Sequence, residues 1–104
     1  MDQRFYDAVA VSPVIAAVKD MGQLEECLTL ENIKVVFLLF GDVCSIPDIA
    51  ARAKDTGELV LAHVDLIGGL SSSQEIAVDF LRRNTRVDGI ITTRPNFIRR
   101  AREL

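Results

Sequence analysis

The chain contains 104 residues, of which 49% are hydrophobic and 26% charged, and its formal net charge is −3 at pH 7. This composition is typical of one small packed domain and excludes an intrinsically disordered chain. The longest apolar stretch, residues 35–40, is far shorter than the roughly 20 residues that cross a bilayer, and no signal-peptide pattern is present. We therefore expect a cytoplasmic protein with no membrane partner.

Four short apolar runs alternate with amphipathic segments, and we predict strands at residues 14–18, 35–40, 59–66 and 89–92. Their Val, Ile, Leu and Phe residues leave neither face polar, which is typical of parallel strands in a covered sheet. Four βα units in series predict an α/β domain with right-handed crossovers. This domain is expected to span residues 12–104, after a leader at residues 1–11.

The first two predicted helices begin at capping residues. Asp20 is the predicted N-cap of the first helix and Ser45 that of the second, which is predicted to end at Gly57. Periodicity places Met21, Leu24 and Leu28 on the apolar face of the first helix, and Ile46, Ile49, Ala50 and Ala53 on that of the second.

The third and fourth helices carry similar start signals. Ser72 and Glu75 form a predicted capping box, and Arg94-Pro95 opens the last helix. The predicted buried faces are Ile76, Ala77, Phe80 and Leu81 in the third helix, and Phe97, Ile98 and Ala101 in the fourth.

Four βα units permit two architectures, an open doubly wound sheet or half of an eight-unit barrel. A half barrel exposes its edge strands, so we expect such a chain to form a homo-oligomer. The chain stops inside the fourth predicted helix, which suggests a fragment or a truncated product.

The only histidine, His63, precedes Asp65 by two residues near the end of the third predicted strand. Side chains alternate along a strand, so both residues are expected on one face, at the sheet edge where α/β folds bind ligands. The alternative roles are structural. His63 could be a hydrogen-bonded core imidazole, and Asp65 could cap the following segment.

Charge is divided unevenly along the chain. Residues 1–81 contain 5 Lys/Arg and 13 Asp/Glu, whereas residues 82–104 contain 7 and 2. All seven late cations are arginines, at positions 82, 83, 86, 94, 99, 100 and 102. This pattern indicates either a surface for a polyanion or two solvated helix faces.

Two isolated cysteines, Cys27 and Cys44, show no CxxC spacing and no nearby histidine. We expect both to be reduced and structural, and we predict no metal site.

Four segments resemble, in order and spacing, the glycerol uptake operon antiterminator regulatory proteins. They are SPVIAAVKD (12–20), VVFLLFGDVCSIPDIAARAKDTG (35–57), LAHVDLIGGLSS (61–72) and DGIITTRPNFIRRARE (88–103). The resemblance implies the N-terminal half of a TIM-like (βα) barrel. It also implies an RNA-binding, non-enzymatic regulator that responds to glycerol 3-phosphate and needs no cofactor. Its RNA partner would be the leader mRNA of a glycerol-metabolism operon.

In a barrel, polar residues at the carboxyl ends of the strands gather at one rim. The candidate ligand-binding residues are therefore Asp20, Asp42, His63, Asp65 and Arg94. His63 or Asp65 would bind glycerol hydroxyls, and Arg94 a phosphate. The candidate RNA-binding residues are Arg82, Arg83, Arg99, Arg100 and Arg102, acting on backbone phosphates.

Two other classes of protein compete with the regulator. The first is a βα-barrel enzyme acting on a small phosphorylated metabolite, with His63 and Asp65 moving protons, although phosphate-loop and metal motifs are absent from the sequence. The second is an open-sheet signalling domain phosphorylated on Asp65, with Thr92 or Thr93 as its partner. The second acidic residue and the lysine that such a domain needs are missing.

Overall fold

A computed structural model describes residues 15–30, 33–55, 59–70 and 74–104. Its four parallel strands are β1 (Ile15–Val18), β2 (Val35–Leu38), β3 (Leu59–His63) and β4 (Gly89–Ile91), and they form one sheet in the order β1-β2-β3-β4. The helices α1 (Met21–Leu28), α2 (Ile46–Lys54), α3 (Ile76–Asn84) and α4 (Pro95–Glu103) each follow one strand. The predicted α/β fold of four βα units is confirmed.

The strand order distinguishes the two predicted architectures. In a doubly wound sheet the order reverses, which places helices on both faces. Here each strand pairs with the strand of the preceding unit, and the order never reverses. The doubly wound alternative is therefore wrong, and the open sheet is consistent with half of a barrel.

The two faces of the sheet have different neighbours. Val36, Leu38, Val60 and Ala62 belong to a large core that also contains buried residues of all four helices. Side chains of the opposite parity, Val35, Leu59 and Leu61, form a second cluster with the partly buried Ile15, Phe37 and Ile91. Among the described residues this second cluster contains only strand residues, so the helices lie on one face, as in a barrel wall.

One carboxylate links several elements at the amino-terminal ends of β3 and β4. Asp88, just before β4, accepts hydrogen bonds from Lys54 Nζ at 2.8 Å and from the Val60 backbone N–H at 2.9 Å through Oδ2. The Asp88 N–H in turn donates to Val60 O at 2.7 Å. These bonds fasten α2, β3 and β4 together.

Three predicted strands end too late. β2 ends at Leu38, and the chain turns at Gly41, where φ is +106°. β3 ends at His63, because residues Val64–Leu66 form a 3-10 turn closed by a hydrogen bond from Ile67 N–H to Val64 O. β4 ends at Ile91. Residue 14 and the predicted leader at residues 1–11 lie outside the described residues.

The predicted helix faces are confirmed in part. The full apolar stripe of α2 is buried, as are Leu24, Ala77, Leu81 and Phe97. The predictions for Met21, Ile76 and Ile98 are wrong, because these residues are 41%, 62% and 40% exposed. Met21 and Ile76 are the first residues of their helices, and Val78, not Ile76, completes the buried face of α3.

The predicted caps have different outcomes. Asp20 caps α1, since its Oδ1 accepts from the Gln23 N–H at 2.8 Å. Ser45 is the N-cap residue of α2 as predicted, but its side chain bonds to Asp42 and makes no capping hydrogen bond. Glu75 directly precedes α3 and its side chain makes no capping bond either. Ser72 and Gly57 lie outside the described residues.

Across the described part of the chain, no helix is long and apolar enough to cross a membrane.

Candidate functional site

His63 is the last residue of β3 and lies opposite Ile91 of β4. It has the parity of Leu59 and Leu61, so it is on the face of the sheet away from the helices. Its Nδ1 atom is buried and has no hydrogen-bond partner within the described residues. A buried polar atom without a partner is costly, so this nitrogen is a candidate for contact with a ligand or a water molecule.

Asp65 and Arg94 form an ion pair across the loops that follow β3 and β4. Arg94 Nε donates to Asp65 Oδ1 at 3.3 Å, and the two side chains are 43% and 31% exposed. Because β3 ends at His63, the prediction that His63 and Asp65 share a strand face is wrong. The 3-10 turn, not strand alternation, places Asp65 beside Arg94.

The backbone holds Arg94 at the start of α4. Arg94 directly precedes α4, whose first residue is Pro95. Its N–H donates to Thr92 Oγ1 at 3.1 Å, so the threonine orders the approach to the helix. The threonine hydroxyl thus accepts from the residue directly before the helix.

Asp42 and Asp20 accept backbone hydrogen bonds at the starts of helices. Asp42 Oδ1 accepts from the Cys44 and Ser45 N–H groups at 2.9 Å each. Hydrogen bonding from the Ser45 backbone, with further bonds from the Ser45 hydroxyl and Cys44, holds the pKa of Asp42 below its ordinary value. The Asp42 carboxylate is therefore engaged in its own turn, as the Asp20 carboxylate is in α1.

The loops after β2 and β3 are joined to each other at the same rim. Gly68 N–H donates to Gly41 O, and Val43 N–H donates to Gly68 O, both at 2.9 Å. Gly69 has a φ of +87°, and a Cβ added there would lie 3.0 Å from Val43 Cγ2. The two loops are thus fixed to each other, and the backbone conformation and close contact at position 69 require glycine.

The candidate RNA-binding arginines divide into two groups. Arg100 is bound on three nitrogens, with Nε and Nη2 donating to Asp79 at 2.6 and 2.7 Å and Nη1 to Glu103 at 2.6 Å. These bonds raise the pKa of Arg100, and Arg100 holds the pKa of Asp79 below its ordinary value. Arg100 therefore clamps α3 to α4.

Arg82, Arg83, Arg99 and Arg102 are exposed on α3 and α4. Within the described ranges no ion pair holds their side chains, although the charge of Arg83 contributes to the lowered pKa of Asp79. Strands and helices run in opposite directions in a βα unit, so the ends of α3 and α4 that carry Arg82, Arg83 and Arg102 lie at the sheet edge opposite the Asp65–Arg94 pair.

Sequence reasoning missed Asp79 and Asp88. Each meets its partner 21 to 34 residues away along the chain. Local patterns therefore gave no signal for Asp79. An aspartate directly before a strand was the one available hint for Asp88.

Cys27 is buried and Cys44 exposed, and neither forms a disulfide. Burial raises the pKa of the Cys27 thiol, which fits a structural role. Cys44 is exposed and lies outside the core, so burial gives no support to a structural role for it. The described part of the chain contains no group of three metal-ligating side chains.

Comparison with known proteins gives consistent relatives. YgcP of Escherichia coli (strain K12), described as uncharacterised, is 37% identical over 91 residues, which are 88% of this chain and 47% of YgcP. A crystal structure of the glycerol uptake operon antiterminator regulatory protein from Listeria monocytogenes superposes with a TM-score of 0.79 at 31% identity, covering 88% of this chain and 49% of that one.

A glycerol uptake operon antiterminator-related protein from Thermotoga maritima gives a TM-score of 0.71 at 32% identity, over 86% of this chain and 48% of that one. The chain thus spans about half the length of the relatives it matches. A sequence model of the family described as glycerol-3-phosphate responsive antiterminator matches residues 14–104. The chain therefore belongs to the glycerol-3-phosphate responsive antiterminator family.

Proposed function

We propose that this chain acts in transcription antitermination of glycerol-metabolism genes, binding a leader mRNA in response to glycerol 3-phosphate. Family membership supports the regulatory role and the effector. The observation that carries the proposal concerns two side chains at the carboxyl ends of β3 and β4. Arg94 is bound through a single nitrogen, and the buried Nδ1 of His63 has no partner among the described residues. A cytoplasmic location is part of the proposal, since the RNA partner is a nascent transcript.

The ligand site is proposed at the carboxyl ends of β3 and β4. Among the described residues Arg94 is bound through Nε alone, and its guanidinium has the planar fork geometry that matches a phosphate. His63 supplies a hydrogen-bonding nitrogen for a polyol hydroxyl. Asp20 and Asp42 are left out of this set, because the Oδ1 atom of each already accepts backbone hydrogen bonds at a helix start.

The RNA surface is proposed on the exposed arginines of α3 and α4. The side chains of Arg82, Arg83, Arg99 and Arg102 are exposed and form no ion pair with another described residue, which suits contacts to phosphate. Arg100 is left out, because its removal would disturb the α3–α4 contact before it affected RNA. A second copy of the chain is a further proposed partner, because β1 and β4 each pair with one strand only among the described residues.

The test is a titration of labelled leader RNA at two salt concentrations, with and without glycerol 3-phosphate. Arg99→Ala with Arg102→Ala should weaken RNA binding and lower the slope of log affinity against log salt by about 2. Arg52→Ala is the control, since Arg52 is an exposed arginine on α2 that binds Glu25. An unchanged slope in the double variant would remove the RNA surface from α3 and α4.

No specific observation favours the two competing classes. The antiterminator family is regulatory, and the barrel-enzyme alternative is not favoured by its relatives. The signalling domain needs a doubly wound sheet, which the observed strand order excludes.

A further inference from the structure

The ion pair between Arg94 and Asp65 is the longest arginine–carboxylate contact of the described residues. Arg94 makes one bond of 3.3 Å. Arg52 makes three, at 3.0, 3.0 and 3.2 Å, and Arg100 makes three of 2.6 to 2.7 Å. Charge-assisted N–H···O bonds are usually about 2.7–2.9 Å long, so the Asp65–Arg94 bond is stretched.

We propose that Asp65 is a built-in competitor for the anionic group of the ligand. Its carboxylate occupies Nε of Arg94 and partly neutralises the guanidinium, so a phosphate that binds through Nε must displace it. This inference rests on the proposed function, because it concerns the same site, and it adds the way in which the site selects its ligand class.

Charge decides which ligands can displace Asp65. A phosphate monoester is close to a dianion at neutral pH, and its oxygens can accept two parallel bonds from the guanidinium. Asp65 has one negative charge and uses only Nε. A phosphate that replaces Asp65 therefore binds Arg94 more strongly than the carboxylate does. A neutral polyol has no charge and cannot replace it.

The cost of the competition also follows from charge. Asp65 is tied to the loop after β3 by the 3-10 turn, so the displaced carboxylate stays near the bound anion. Repulsion between a dianion and a carboxylate about 6 Å apart is on the order of a tenfold change in affinity with the dielectric constant of bulk water, before salt screening. Asp65 thus lowers the affinity for every anion, and only ligands with a strong phosphate contact are retained.

Two variants separate this role from general charge effects. Asp65→Asn removes the competing charge and keeps the shape of the side chain. Asp55→Asn is the matched control, because Asp55 is also exposed, also bonds an arginine (Arg52, at 3.2 Å) and lies at the end of α2, away from the rim. Both variants change the net charge by the same amount.

The experiment is a chemical-shift titration of wild type and both variants with inorganic phosphate, following the Arg94 Nε–H and the backbone amides of residues 92–94. We expect Asp65→Asn to bind phosphate threefold to tenfold more tightly at low salt, with a smaller gain at high salt. Asp55→Asn should match wild type, and Arg94→Gln should lose the shifts. Asp65→Ala should repeat the gain if Asp65→Asn folds poorly.

Glycerol 3-phosphate is titrated in parallel into wild type to separate the two ideas. If wild type binds it at the rim while Asp65→Asn binds phosphate equally or more weakly, the competitor role is overturned and the proposed ligand site stands. If phosphate shifts the rim signals of none of these proteins and glycerol 3-phosphate does not shift those of wild type, the competitor role and the proposed ligand site are both overturned.

Discussion

Two arginines at the two ends of α4 have the same chemistry and opposite surroundings. Arg100, in the last turn, is bound to Asp79 and Glu103 on three nitrogens, and its side chain is 28% exposed. Arg94, just before the first turn, is 43% exposed and makes one long bond. The comparison shows that Arg100 holds α3 against α4 through three nitrogens, whereas Arg94 is bound to the described residues through one nitrogen only.

The largest expected effect concerns Asp88, the carboxylate that links α2, β3 and β4. Asp88→Ala should lower the free energy of unfolding by about 2–3 kcal/mol, because the buried Val60 N–H and the Lys54 ammonium both lose an acceptor. Urea denaturation measures this. Asp55→Ala, which breaks an exposed pair, serves as the control and should change little. Equal effects of the two variants would contradict the idea that the hydrogen bonds of Asp88 stabilise the fold more than an exposed ion pair does.

The next effect separates the two arginines directly. Arg100→Gln should lower the Tm by a few degrees, because α3 and α4 lose their clamp. Arg94→Gln should leave the Tm nearly unchanged, since its pair is exposed and stretched. Thermal unfolding followed by circular dichroism compares them, and a larger drop for Arg94→Gln would reverse the assignment.

The clamp should also depend on pH. The Arg100 hydrogen bonds lower the pKa of Asp79 in the folded chain, so the folded state binds fewer protons than the unfolded state in acid. The contribution of the clamp is therefore complete above the ordinary Asp value of 3.8 and is lost as pH falls through the lowered pKa. The stability difference between wild type and Asp79→Asn should shrink from pH 5 to pH 3. A constant difference would show that the carboxylate charge does not act through Arg100.

The smallest effect tests a predicted ligand residue that the structure uses as a cap. Asp20→Ala should destabilise the chain by about 1 kcal/mol and leave phosphate binding unchanged, because its Oδ1 caps α1. Asp20→Asn keeps the cap and should be close to wild type. Weaker phosphate binding by both variants would return Asp20 to the ligand site.

The fold could be predicted from sequence further than the site. The apolar runs gave four strands, and the period of α2 gave its whole buried stripe, because burial of one helix face is a local pattern. The end of β3 could not be read in this way, since the run continues through Leu66 although the backbone turns after His63.

The site depends on contacts that no local pattern contains. Arg94 and Asp65 are 29 residues apart, and Arg100 and Asp79 are 21 apart. The charge asymmetry along the chain pointed to the C-terminal arginines as a group. It could not separate Arg100 from Arg94 or Arg99, because that difference depends on which carboxylates the folded helices bring within reach.

The unbroken strand order also bears on how this chain folds. Each strand pairs with the strand made just before it, so β1 and β2 can join before β4 has been synthesised. A sheet with reversed order must leave a strand edge open until a later strand returns to it. Here folding can advance one βα unit at a time behind the ribosome, with the growing sheet always presenting the edge that the next unit needs.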